Sequence, residues 1–75
     1  MKSLIGCKFN RSYIIEKLDD EESFKVRRRL CELGFTPGEE ITLVRASLLK
    51  KAYLVEIRGY TLSLRNSIVK AVMVK

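Results

Sequence analysis

Two thiols, nine carboxylates and a scatter of hydroxyls are what this 75-residue chain could bring to chemistry, because it contains no histidine. General acid–base work needs two titratable groups with opposed pKa values converging on one cleft. The acids instead fall in local clusters. Asp19-Asp20-Glu21-Glu22 precedes an amphipathic run, where carboxylates oppose a helix dipole and cap free N–H groups, and this outweighs a carboxylate-only site for a hard cation. Glu39-Glu40 reads as a solvated pair at the start of a strand. Ser47, Ser63 and Ser67 have no imidazole to activate them. Cys7 and Cys31 are not at ligand spacing, so a tetrahedral zinc or an iron–sulfur cluster lacks donors. Cys31 lies beside an apolar helical stripe and reads as an inert buried thiol. A disulfide between the two is allowed by count, but no secretory signal supports it. The expectation is a protein without catalytic residues, cofactor or metal ligands.

Binding chemistry is better represented. The net charge is +6, and it is unevenly spread. Residues 1–24 hold four basic groups against five acidic ones, whereas residues 25–75 hold eleven against four. A basic body of this kind suits nucleic acid, an anionic membrane surface or an acidic protein partner. Arg27-Arg28-Arg29 invites a phosphate-binding reading, but consecutive residues on a helix diverge over about 200° and form no stripe. Tyr53 and Tyr60 are in phase with apolar neighbours and read as core, not as base-stacking platforms. The segment Ser47-Leu48-Leu49-Lys50-Lys51 stands out, since two leucines in a connection between strands have no periodic reason to be buried. Either they cover the open end of a barrel or they form an apolar contact with a basic edge, suited to a protein partner with an acidic rim.

These groups must be positioned by a short chain. A domain of this size buries only about 60% of its unfolded surface, and its 47% hydrophobic content is that of a globular protein. No apolar run approaches the ~20 residues of a bilayer crossing, so one domain spanning residues 1–75, cytoplasmic and without membrane insertion, is expected. A first extended segment begins at Leu4-Ile5-Gly6 and is most strand-like at Tyr13-Ile14-Ile15. Asp19 as N-cap places Glu22 at N3, a capping-box arrangement. Val26, Leu30 and Leu33 form one helical stripe, with Phe24 and Cys31 beside it and Arg27 between. Gly34 falls at the left-handed C′ position with Phe35 packing back on Leu30. Thr36-Pro37-Gly38 spells a type II turn. Everything after Gly38 reads as β. Ile41 and Leu43 alternate with Thr42 and Val44, and Tyr53, Val55 and Ile57 with Leu54, Glu56 and Arg58. Gly59 marks a tight hairpin, Tyr60, Leu62 and Leu64 alternate again, and Arg65-Asn66-Ser67 turns into a last strand from Ile68 to Val74. About five short strands with one α-helix between the first and second make a mainly β protein. A small bent barrel is the economical closure, SH3-like first and OB-like second.

Two blocks carry a family resemblance. Arg29-Leu30, Leu33-Gly34-Phe35, Pro37-Gly38 and the strand Ile41-Thr42-Leu43-Val44-Arg45-Ala46 resemble the helix-to-strand junction of the FeoA family. Ile57-Arg58-Gly59-Tyr60-Thr61-Leu62-Ser63-Leu64-Arg65 is similar to that family's strand–turn–strand ending in a basic turn. Paired blocks in order, roughly 20 residues apart, are more specific than either alone. The resemblance implies an SH3-like barrel, no catalytic residues and a role in ferrous iron transport and iron homeostasis beside the membrane ferrous iron transporter, whose cytoplasmic G domain is the implied partner. Transition-metal binding comes with the family rather than from any ligand set in this chain. The same domain type resembles the C-terminal module of metal-dependent repressors. After Ala46 the family commonly has Pro-Leu-Gly-Asp-Pro; here the loop is longer, more apolar and more basic, and loops carry specificity. The expected partner-binding residues are Leu48, Leu49, Lys50 and Lys51, with Arg58, Tyr60 and Arg65 as a second surface.

Overall fold

The computed structural model describes residues 2–19 and 24–75, residue 24 by its backbone alone. Its strands are β1 (Lys2–Ser3), β2 (Ser12–Leu18), β3 (Glu40–Ala46), β4 (Ala52–Ile57), β5 (Tyr60–Arg65) and β6 (Val72–Val74), and its helices are α1 (Phe24–Glu32) and α2 (Asn66–Ala71). A 3₁₀ turn, Leu4–Gly6, follows β1. The strands form one antiparallel sheet in the order β1-β6-β2-β3-β4-β5. β2 bends the sheet on itself: Ser12, Tyr13 and Ile14 pair with β3, and Ile15, Lys17 and Leu18 pair with β6, with a register shift between Ile15 and Lys17. β1 and β5 are the edges, and α2 lies between them, touching β5, β1 and the 3₁₀ turn.

The inward rows follow the alternation in the sequence. Ile41 and Leu43, then Tyr53, Val55 and Ile57, are buried and meet Leu4, Ile15, Phe35, Val69, Val72 and Val74 in one core. Apolar and polar residues alternate here because successive strand side chains point to opposite faces. Each of these side chains removes enough apolar area from water to contribute about 1.5–3 kcal/mol.

The helix end is built as its residues dictate. Phe35 N–H donates to the Leu30 carbonyl at 2.9 Å and Gly34 N–H to that of Cys31 at 3.0 Å, the pair of bonds that defines a Schellman motif. Gly34 has φ +103°, and Phe35 and Leu30 are both buried. Thr36 to Glu39 closes the next turn through a 3.1 Å bond, and Gly38 at φ +95° makes it type II. Arg58 and Gly59 both hold positive φ, 52° and 84°, the type I′ geometry of a two-residue hairpin.

Four expectations need correction. The chain from Ile68 to Val74 is not one strand: Asn66–Ala71 is helical and only Val72–Val74 is extended. Ile68, Val69 and Val72 satisfy helical as well as extended spacing, and a short apolar run does not separate the two. Arg65-Asn66-Ser67 is accordingly no turn; Arg65 ends β5 and is the N-cap of α2. The segment at Leu4-Ile5-Gly6 is a 3₁₀ turn, because the Ser3 hydroxyl accepts from Ile5 N–H and starts a cap where a ladder was expected. With β1 ahead of it, α1 follows the second of six strands, not the first of five. The capping arrangement of Asp19 with Glu22 falls outside the described residues.

Candidate partner-binding surface

β3 and β4 are joined by residues 47–51, and hydrogen bonds tie this loop at both of its ends. Ser47 N–H donates to the Ala52 carbonyl and Lys50 N–H to that of Ser47, both at 2.9 Å. The Ser47 hydroxyl accepts from Lys51 N–H at 3.1 Å and Ala52 N–H at 3.2 Å, and Lys50 takes a positive φ of 55° to complete the turn. From outside the loop, Asn66 donates its side-chain amide to the Lys50 carbonyl at 2.8 Å and its backbone N–H to that of Lys51 at 2.9 Å. All these bonds consume backbone groups. None draws the leucines inward: Leu48 is 98% exposed and Leu49 is 71% exposed. The alternative in which they cover the open end of the barrel is therefore excluded.

Lys50 and Lys51 are exposed on the same loop, and Arg65 joins them because it pairs across the sheet with Ala52. Phe9, 46% exposed, stacks on Tyr53 at 6.4 Å between ring centroids. Tyr53 pairs with Ala46, so Phe9 borders the same end of the sheet. Sequence reasoning missed it, since the residues around Phe9 have no periodicity from which exposure could be read. Arg45, Ala46, Ser47, Ala52, Leu54 and Ser63 continue the surface as a shallow depression of about 510 Å³.

Arg58 and Tyr60 lie elsewhere. They sit at the other end of β4, about 17 Å away at ~3.3 Å per strand residue. Their polar groups are already engaged: Arg58 Nη1 bonds Glu39 Oε1 at 3.1 Å, and the Tyr60 hydroxyl donates to the Leu33 carbonyl. Tyr60 is also 40% exposed, which corrects its assignment to the core, whereas Tyr53 is buried as expected. The seven expected residues thus separate into a loop end with Leu48, Leu49, Lys50, Lys51 and Arg65, and a hairpin end that braces the α1 terminus.

α1 presents Lys25, Arg28, Arg29 and Glu32 to solvent, as its periodicity requires. Leu30 is its buried anchor, with Val26, Arg27 and Leu33 half-buried. Cys31 is exposed and Cys7 buried, both as free thiols, which corrects the buried reading of Cys31; the apolar stripe is narrower than the sequence suggested. Among the described residues no group of three or more Cys, Asp or Glu is placed to hold a metal ion, and no helix is long and apolar enough to cross a membrane.

The zinc-complexed FeoA of Stenotrophomonas maltophilia superposes with a TM-score of 0.85 at 30% identity, over 100% of this chain and 91% of that one. It is described as a procaryotic SH3 domain protein put forward as a ferrous iron transport activating factor. A FeoA-like protein from Clostridium acetobutylicum is 27% identical, with a TM-score of 0.84 over 99% of this chain and 84% of its own. At 15% identity, a manganese-dependent transcriptional repressor shares the fold alone, with a TM-score of 0.84 and 40% of its length covered. A search of curated proteins returns no match. The mainly β, SH3-like architecture expected from the sequence is the architecture found. The FeoA domain model, moreover, aligns along residues 2–75, and the chain belongs to the FeoA family.

Proposed function

We propose that this chain is a non-enzymatic accessory domain of ferrous iron transport, residues 1–75 acting as one cytoplasmic unit that binds the G-domain part of the membrane transporter. Family membership supplies the link to iron transport, and the activating role put forward for the Stenotrophomonas relative agrees with it. The observation that carries the contact is the pinned loop with Leu48 at 98% and Leu49 at 71% exposure. Burying one leucine contributes about 1.5–3 kcal/mol, and this fold leaves two in water on a loop whose flanking residues Ser47, Lys50 and Lys51 are hydrogen-bonded. A loop tied at its ends loses less conformational freedom on docking, which favours its use as an anchor. Lys50, Lys51 and Arg65 around it would steer an acidic partner and set the salt dependence of association. Iron then acts through the transporter, with no ligand required from this chain.

Calorimetry of the domain against the transporter's cytoplasmic region, at low and moderate salt, tests the reading. One-to-one binding that keeps most of its affinity as salt rises is expected from an apolar anchor with a charged rim. Absence of binding, or binding that collapses with salt and is reproduced by a random DNA or RNA oligonucleotide, would instead mark a basic barrel that holds nucleic acid.

A further inference from the structure

A second surface lies between α1 and the free edge of β5. A groove of about 350 Å³ is lined there by Val26, Leu30 and Leu33 of the helical segment and by Leu62 and Leu64 of the strand, with Ile68 of α2 at one end. Lys25 and Arg29, four residues apart on α1 and both exposed, form its outer rim together with Ser63. Among the described residues no carboxylate lines it. Glu32 approaches Arg29 only at 3.9 Å and also serves Arg28.

The strand wall of this groove has unpaired backbone. β5 pairs with β4 alone and is a terminal strand of the sheet. The type I′ turn at Arg58 and Gly59 makes Ile57–Tyr60 the closing hydrogen-bonded pair, and the Asn66 N–H bond to the Lys51 carbonyl fixes the same alternation at the far end. Tyr60, Leu62 and Leu64 therefore direct their N–H and C=O toward β4, and Thr61 and Ser63 direct theirs outward. A free strand edge beside a helix, with an apolar floor between them, is the arrangement that captures an extended peptide by strand addition.

We propose that this groove binds an extended segment of a partner protein, about five or six residues long, with apolar side chains at alternate positions and carboxylates between or beside them. Its backbone pairs with Thr61 and Ser63, its apolar side chains enter between Val26, Leu33 and Leu62, and its carboxylates meet Lys25 and Arg29. The Tyr60 bond to Leu33 closes one end of the groove and Ile68 the other, which sets the length. A second copy of this chain is disfavoured as the occupant. Pairing β5 with β5 brings Lys25, Arg29 and Arg65 of both copies together in a chain of net charge +6. The site is separate from residues 47–51, so its test leaves the transporter contact unaddressed in either direction.

The test uses the whole chain and a synthetic peptide of about six residues alternating valine and aspartate, followed by amide shifts in a nitrogen-15 titration. Saturable shifts at Thr61, Ser63, Val26 and Leu33 are expected. Methylating the central peptide nitrogens, which changes nothing in the protein, should weaken binding about tenfold or more through lost strand hydrogen bonds. Ser63→Pro removes an outward N–H at a position where an edge strand tolerates proline; it should keep the amide dispersion and lose binding to a similar degree. A valine–lysine peptide should not bind. Shifts confined to residues 47–51, no saturable shifts, or equal binding by the methylated peptide would overturn the proposal. A dimer seen by sedimentation and abolished by Ser63→Pro would overturn it too, assigning the edge to a second copy.

Discussion

Gly34 and Gly38 occupy the same backbone region for different reasons, and the difference is measurable. Both hold positive φ, +103° and +95°. A Cβ at Gly38 would meet open space, whereas one at Gly34 would run into the Arg58 side chain, whose guanidinium is tied to Glu39. Gly38→Ala should therefore cost about 1 kcal/mol, the strain of an L-residue at that φ. Gly34→Ala should cost more, and Arg58→Ala in the same chain should recover part of the excess. Chemical denaturation of the three variants checks this, with equal losses for the two single changes as the contrary result. The Schellman cap, the type II turn and the hairpin were legible in the sequence because Gly, Pro and their spacing act through local backbone geometry. The exposure of Cys31 and Tyr60 was not legible: each is in phase with apolar neighbours in the sequence, and how far the buried surface extends past them is set by tertiary packing.

Among the elements, β3 and β4 were readable because each alternates over six or seven residues, and β2 because Tyr13-Ile14-Ile15 is an aromatic and β-branched run. α2 was not readable, since β-branched residues in a six-residue helix carry no signal against a strand. What holds it is tertiary: Val69 is fully buried, and Asn66 spends its two donors on the neighbouring loop. Asn66→Ala should consequently loosen residues 47–51 while costing only about 1 kcal/mol. Faster amide exchange at Lys51 and Ala52 with β3 unchanged would show this; unaltered exchange would mean that the Ser47 hydroxyl suffices. Among the described residues of α1, Leu30 is the buried side chain. The amides of this helix should exchange well before those of β3 and β4, as expected for a locally opening unit. Leu30→Ala should cost about 2–4 kcal/mol, read as a lower denaturation midpoint.

For the whole molecule, the expectation from a basic chain without histidine is that its iron-related function does not run through iron ligation. Purified protein titrated with ferrous iron or zinc should give no tight one-to-one isotherm; micromolar or stronger stoichiometric binding would contradict this and make Cys31 and residues 19–22 the first sites to change. The loop was identified from sequence as an anomaly, two leucines outside every periodic row, but its role could not be read there, because covering a barrel end and projecting from it look alike in one dimension.

The anchoring of the transporter by Leu48 and Leu49 is a proposal that stands on their outward exposure. It is tested most directly by the affinity of a Leu48→Ser, Leu49→Ser variant for the transporter's cytoplasmic region, measured beside the parent chain after confirming equal stability. Both side chains are outside the core, so the account predicts a denaturation midpoint within error of the parent and binding weakened by about 2 kcal/mol, close to thirtyfold. A variant that folds as well and binds as tightly would contradict it.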